Sequence, residues 1–141
     1  RGAQNPALGR SRGGLSTKIH LAVDGRGRAI RFILTPGQTN DCTQALALLD
    51  GFTPTHVIAD KAYDTLDILE AVEAVGARPI IPKRSTTHRP RAFDPAIYRR
   101  RNLVERTINK LKQLRRIATR YDRNPRLLLA FLCLAALSFW A

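Results

Sequence analysis

The stretch from Tyr98 to Arg120 constrains the fold of this chain more than any other. It contains no proline or glycine and is rich in arginine, lysine and leucine, which predicts one long helix. A helix turns by about 100° per residue, so apolar residues at suitable spacing gather on one face. Here that face comprises Ile97, Val104, Ile108 and Leu111. Within roughly 60° of one another, beside that stripe, lie Tyr98, Arg101, Glu105 and Lys112.

Glu105 is the one acidic residue in this basic stretch. The helical wheel places it at the edge of the face that points toward the core. Such a glutamate can form a surface salt bridge, or it can be a functional carboxylate that the helix holds in place. Helical geometry alone leaves both interpretations open.

The charge balance indicates a polyanionic partner. The chain has 24 lysines and arginines against 11 aspartates and glutamates, a formal net charge of +13. A surface of this kind attracts phosphates, and nucleic acid is the simplest partner. The alternative is a solvated basic surface such as ribosomal proteins carry, and those proteins bind nucleic acid as well. Charge therefore indicates a partner without indicating any chemistry.

A length of 141 residues, 44% of them hydrophobic, suits one domain with its own core. Residues 1–14 are polar and glycine-containing, which predicts an irregular lead-in before a domain at 15–141. Patterning then predicts the order β-β-α-β-α-β-loop-α-α, with a first hairpin whose turn is Asp24 to Gly27 and a flexible basic loop at 83–95. This order is typical of a mixed sheet flanked by helices.

The apolar C-terminal stretch, Leu127 to Ala141, is shorter than the ~20 residues that span a bilayer. It therefore predicts a buried helix and no membrane partner. The first ten residues lack the apolar core of a signal peptide, so a cytoplasmic location is expected.

Asp60 follows the predicted strand 55–59 directly, and catalytic groups often collect where such strands end. It could instead cap a turn or helix, but Asp64 is the better cap candidate because the helical pattern begins just after it. Asp60 and Glu105 then form a pair of carboxylates on separate elements. Carboxylate oxygens are ligands for Mg²⁺, and metal ions can assist phosphodiester transfer while basic residues hold the DNA backbone.

The spacing of Tyr98, Arg101, Glu105 and Lys112 resembles the Y-R-E-K signature of bacterial insertion-sequence transposases. ADKAYD at 59–64 resembles the second-aspartate motif of that family. GGLSTKIHLAVDGRGRAIRF at 13–32 and TPGQTND at 35–41 resemble its insertion-sequence-five branch. The resemblance implies a ribonuclease H-like fold and a DDE metal site, bound to Mg²⁺ or Mn²⁺, that cleaves and transfers DNA strands.

By this resemblance Asp60 is the second aspartate and Glu105 the glutamate, both catalytic and metal-binding. Tyr98, Arg101 and Lys112 would contact DNA, either the insertion-sequence ends or the target. Further candidates for DNA binding, each of which could equally be a solvated surface cation, are Lys61, Arg115 and Arg116.

The first aspartate of the DDE triad has no counterpart in this sequence. The family carries it on a strand upstream of the segment that begins this chain, and Asp24 has the sequence context of a turn tip. The chain thus resembles the C-terminal catalytic part of a transposase, without its first strand, and the upstream segment and a second copy are its expected protein partners. The alternatives are an inactive nucleic-acid-binding remnant or regulator, or a nuclease of the same fold that does not transfer strands.

Overall fold

The computed structural model describes residues 9–11, 14–86, 90–119 and 124–140, with side chains from Ser16 onward. The strands are β1 (Gly9–Ser11), β2 (Gly14–Val23), β3 (Ala29–Pro36), β4 (His56–Ile58) and β5 (Arg78–Ile80). The α-helices are α1 (Ala45–Leu49), α2 (Leu66–Ala74), α3 (Pro95–Tyr98), α4 (Asn102–Gln113), α5 (Arg115–Thr119) and α6 (Pro125–Ser138). Short 3₁₀ helices span Asp41–Gln44, Lys61–Tyr63 and Arg99–Arg101.

The chain divides into two compact units. The first unit comprises residues 1–40 and 103–141, and the second unit comprises residues 41–102. In the described ranges, β1, β2 and β3 form an antiparallel sheet in that order, whereas β4 and β5 form a separate parallel pair. The chain is therefore a mixed α/β protein with two small sheets, where the sequence predicted a single mixed sheet.

The hairpin of the first unit matches its prediction. β2 and β3 pair antiparallel, with a register shift at Ala22 and Val23, and the turn between them is built on Asp24. The Asp24 carboxylate accepts hydrogen bonds from the backbone N–H groups of Arg26 and Arg28, at 2.9 and 3.0 Å, and also from the Arg28 side chain. The interpretation of Asp24 as a turn residue is confirmed.

The lead-in differs from its prediction at Gly9–Ser11, which pair with β2 as strand β1. Strand pairing is made by backbone groups, so a polar glycine-containing segment can join a sheet edge without an apolar pattern. Residues 1–8 and 12–13 lie outside the described residues.

The predicted single helix from Tyr98 is interrupted twice: by the 3₁₀ helix Arg99–Arg101 between α3 and α4, and at Leu114 between α4 and α5. Leu111 and Ile117 are both buried in the same apolar cluster. On one continuous helix these two positions would point about 120° apart. The break at Leu114 lets both side chains reach the core, so packing overrides the helical propensity of the stretch.

The C-terminal stretch forms α6, and Asn124 caps it by accepting a hydrogen bond from the Arg126 N–H at 2.9 Å. The prediction of a buried helix holds for one face. Leu128 and Leu132 are buried in the core of the first unit, against side chains of β2 and β3, whereas Leu134 and Leu137 are each 63% exposed. Within the described ranges, no helix has both the length and the apolar character needed to cross a membrane.

The second unit has its own core. Buried residues of α1, α2 and the segment around β5 pack together: Ala45, Ile68, Leu69, Val72, Ala77 and Ile81. Gly76 ends α2 with φ of +77°, a conformation that favours glycine because it lacks Cβ. This core fixes β4 and β5, and with them the loops that follow both strands.

Candidate functional site

The C-terminal ends of β4 and β5 meet at one edge of the second unit. The strands run parallel, with Val57 opposite Pro79 and Ile58 opposite Ile80. Because parallel strands end at the same edge, the segment after β4 and the segment after β5 leave the sheet side by side. The first carries Asp60, and the second enters the basic loop that begins at Lys83.

These two segments and the start of the basic helical region line one open groove, with a volume of about 730 Å³. Its lining residues are Asp60, Lys61, Ala62, Pro82, Lys83, Arg84, Ser85, Thr86, Tyr98 and Arg101. Four of the eight residues that the sequence singled out therefore share this groove: Asp60, Lys61, Tyr98 and Arg101. Among the lining residues that the structure describes, Asp60 is the one acid, beside four basic residues, Lys61, Lys83, Arg84 and Arg101.

Asp60 makes the kind of turn-capping contact that the sequence analysis gave as its alternative role. Its Oδ1 accepts a hydrogen bond from the Ala62 N–H at 2.7 Å and so caps the 3₁₀ helix Lys61–Tyr63. The preference for Asp64 over Asp60 as the capping residue is therefore wrong. The contact also fixes the carboxylate relative to the backbone, because the bond is made two residues along the same turn.

Arg84 ties the loop after β5 to this turn. Its Nε donates to the Lys61 carbonyl at 2.8 Å, and its Nη2 donates to the Ala62 carbonyl. The Arg84 backbone N–H donates to Oδ2 of Asp64 at 2.7 Å. The start of the loop, which the sequence predicted to be flexible, thus has specific contacts.

Asp64 is not the helix cap that the sequence predicted, because Thr65 occupies the N-cap position of α2. The Asp64 side chain is 0% exposed and forms an ion pair with Arg91, whose side chain is 9% exposed. Nη1 of Arg91 lies 2.8 Å from Oδ1 of Asp64, and Nη2 donates to the Ile81 carbonyl at 2.6 Å. Burial of a carboxylate is tolerated here because both of its oxygens have a donor.

Tyr63 packs against the core of the second unit, next to the groove. Burial, together with the negative charges of Asp41 and Asp60, raises the pKa of Tyr63 to about 12. The phenol is therefore neutral at physiological pH.

Tyr98 and Arg101 reach the groove from the beginning of the basic helical region. Asp94 caps α3 by accepting hydrogen bonds from the N–H groups of Ala96 and Ile97, at 2.8 and 3.2 Å. The ring of Tyr98 packs against the ring of Phe93, with 5.2 Å between the two ring centroids. The cap and the ring contact together orient Tyr98.

The remaining predicted site residues, Glu105, Lys112, Arg115 and Arg116, are exposed and belong to the first unit. The Arg116 guanidinium lies 3.9 Å from the centroid of the Phe131 ring, so this cation packs on the surface of its own unit. The assignment of Asp60 and Glu105 as the two metal-binding carboxylates stays a prediction. Across the described ranges, no three His, Cys, Asp or Glu side chains are grouped so that they could hold a metal ion.

Sequence reasoning did not identify Arg84 and Arg91, and it assigned Asp64 the role of a helix cap instead of a buried ion-pair partner. Their roles depend on the parallel pairing of the two short strands, which brings the loop after β5 against the motif after β4 and which no local sequence signal specifies. The polar composition of that loop suggested flexibility instead. A buried aspartate cannot be distinguished from a capping aspartate by its position in the sequence alone.

Comparison with known proteins identifies relatives over almost the whole chain. The family model described as a transposase DDE domain matches residues 3–140. A Brucella ovis protein described as a transposase for insertion sequence element IS6501 is 37% identical over 132 residues, which cover 89% of this chain and 98% of that protein. A Burkholderia cepacia protein described as a transposase for IS402 is 33% identical over 128 residues, 82% of this chain and 58% of that protein. No solved structure matches the chain.

Proposed function

Because the chain belongs to the family of transposase DDE domains, we propose that it supplies part of the catalytic machinery of an insertion-sequence transposase. In this proposal it belongs to the Y-R-E-K branch of the insertion-sequence-five family and has a ribonuclease H-like fold. It acts on DNA, at the ends of the element and at the target, by metal-dependent strand cleavage and transfer. Two relatives described as transposases support the role in transposition.

The observation that carries this proposal is the groove at the ends of β4 and β5. It places a carboxylate, Asp60, among basic side chains and beside Tyr98 and Arg101. Lysine and arginine bind the phosphate backbone without reading its sequence, and they position the strand. An acid within such a phosphate-binding surface repels phosphate, and a divalent ion held by Asp60 would offset that repulsion while one oxygen of the carboxylate caps the turn.

The donor chemistry fits a hard divalent cation. Asp60 offers a carboxylate of which one oxygen caps a turn, and Glu105 offers an exposed carboxylate. Oxygen ligands of this kind suit Mg²⁺ or Mn²⁺, which need few protein groups. When bound, the ion would supply charge stabilisation at the scissile phosphate. The chain's own contribution is to hold Asp60 in the groove, while Lys61, Lys83 and Arg101, which line the same groove, bind the phosphates of the strand.

The triad requires a third carboxylate, which in this proposal comes from the segment encoded upstream. Two carboxylates leave the site one anionic ligand short. The chain alone is therefore expected to bind DNA without cleaving it, and the chain fused in frame to the upstream segment is expected to cleave. A homodimer would bring two such sites to the two ends of the element.

The test is a nicking assay on element-end duplex DNA with Mg²⁺ or Mn²⁺, using the chain alone and the fused protein. Asp60→Asn is the informative variant, because an asparagine oxygen can still accept the hydrogen bond from the Ala62 N–H while the charge is lost. Asp60→Asn and Glu105→Gln are each expected to abolish cleavage. The matched control is Asp67→Asn, which removes an exposed acid outside the groove.

Cleavage by the fused protein that survives Asp60→Asn would refute the catalytic role of this residue. Tight DNA binding without cleavage by either protein would instead support the inactive remnant. Cleavage by the chain alone that is lost in Asp24→Asn would show that Asp24 is the third ligand.

A further inference from the structure

We propose that Asp64 is a positioning residue, and that its buried carboxylate, with Arg84 and Arg91, holds the turn that carries Asp60. This role depends on the metal-binding function proposed for Asp60. Asp64 ends the motif ADKAYD, four residues after Asp60, and it does not line the groove. It can therefore act on the site only through its neighbours.

Both oxygens of Asp64 are committed to the loop after β5. Oδ1 binds Nη1 of Arg91 at 2.8 Å, and Oδ2 accepts from the Arg84 N–H at 2.7 Å. With the side chain 0% exposed, water cannot substitute for either donor without opening the structure. The end of the turn is thereby attached to a segment that lies 20 and 27 residues further along the chain.

Arg84 holds the same turn from the groove side. Its side chain donates to the carbonyls of Lys61 and Ala62, while its own N–H donates to Asp64. Ala62 is thus bonded at both of its backbone groups: its N–H to the Asp60 carboxylate and its carbonyl to Arg84. Movement of Arg84 would loosen the peptide that orients Asp60.

Arg91 completes the arrangement, because its second terminal nitrogen donates to the carbonyl of Ile81, the residue after β5. One guanidinium therefore bridges the end of a strand and the end of the turn. Lysine has a single terminal nitrogen and cannot reproduce both contacts in this planar geometry. Arg91→Lys thus preserves the charge and removes the bridge.

A buried ion pair could stabilise the unit as a whole and leave the turn unaffected. Amide hydrogen exchange separates the two roles, because local loosening accelerates exchange in the turn alone. We would measure exchange at Ala62 and Tyr63 in the unaltered chain, in Asp64→Asn and in Arg91→Lys. The amide of Val72, which is 0% exposed in α2, reports on the stability of the unit.

In Asp64→Asn and Arg91→Lys, loss of the buried pair is expected to accelerate exchange at Val72 through lower stability of the unit, and to accelerate exchange at Ala62 and Tyr63 by a factor about tenfold larger. The matched control is Asp24→Asn, which removes a 2.6 Å ion pair to Arg28 in the other unit and should leave these amides unchanged. Equal acceleration at Ala62 and Val72, or none at Ala62, would overturn the positioning role.

A second readout connects the turn to the metal. In the fused protein, Asp64→Asn is expected to raise the Mg²⁺ or Mn²⁺ concentration that gives half-maximal cleavage by about 10- to 100-fold, as loss of an outer contact at a metal site does. DNA affinity should stay within about twofold. An unchanged metal requirement would overturn the positioning role of Asp64. Absence of cleavage by the unaltered fused protein would overturn the proposed function instead. In that case, amide hydrogen exchange would still decide whether Asp64 holds the turn.

Discussion

If the groove binds DNA through phosphate contacts, removing its lysines should flatten the salt dependence of binding by a calculable amount. Lys61 and Lys83 are exposed and line the groove. Each phosphate contact contributes about 0.9 to the slope of log affinity against log salt for duplex DNA. Lys61→Ala should therefore reduce the slope by about 0.9, and the double variant with Lys83→Ala by about 1.8.

Over a fourfold rise in salt concentration, the DNA affinity of the unaltered chain should therefore fall by a factor about 12 times larger than the factor for the double variant. Fluorescence anisotropy with a duplex of arbitrary sequence, titrated at several salt concentrations, measures both slopes. The matched control is Lys110→Ala, which removes the same charge from a lysine that lies over the ring of Phe139, at 5.6 Å.

The groove hypothesis requires the Lys110→Ala slope to equal that of the unaltered chain. An equal loss of slope in Lys61→Ala and Lys110→Ala would show that binding follows net charge alone. An unchanged slope in the double variant would exclude the groove as the phosphate-binding surface.

The remaining predictions concern stability and ionisation. Leu132→Ala, at a side chain that is 0% exposed, should lower the free energy of unfolding by about 2–5 kcal/mol in urea denaturation. Leu134→Ala, at 63% exposure on the same helix, should change it by less than about 0.5 kcal/mol, and equal effects would refute the assigned orientation of α6. The pKa of Tyr63 is raised to about 12, so in an ultraviolet titration its phenol should ionise near that pH, and this step should be missing in Tyr63→Phe. The contribution of the neutral phenol to the free energy of unfolding should be present below pH 10 and lost as the pH rises through about 12. At Asp24, burial acts to raise the pKa, but hydrogen bonds from Arg28 and Arg26 outweigh burial and the pKa is lowered. The difference in free energy of unfolding between the unaltered chain and Asp24→Asn should therefore be present at neutral pH and shrink as the pH falls below 3.8. A difference that stays constant with pH would contradict the turn contacts.

The sequence by itself determined those features of the fold that arise from interactions between residues close together in the chain. The turn at Asp24 and the apolar face of α6 follow from contacts within a few residues, which side-chain chemistry and helical periodicity decide. The position of Asp60 just beyond a strand follows in the same way. Net charge indicated a phosphate-bearing partner because it is a property of composition and does not depend on the fold.

The tertiary structure alone decided which residues support the candidate site. Asp64 is a buried ion-pair partner instead of a helix cap because Arg91, 27 residues further along, reaches it across the end of the parallel strands. Arg84 holds the turn of Asp60 for the same reason. The break at Leu114 likewise arises because one core must bury both Leu111 and Ile117. Each of these outcomes depends on segments that are distant in sequence, and neither local propensity nor periodicity specifies which distant segments meet.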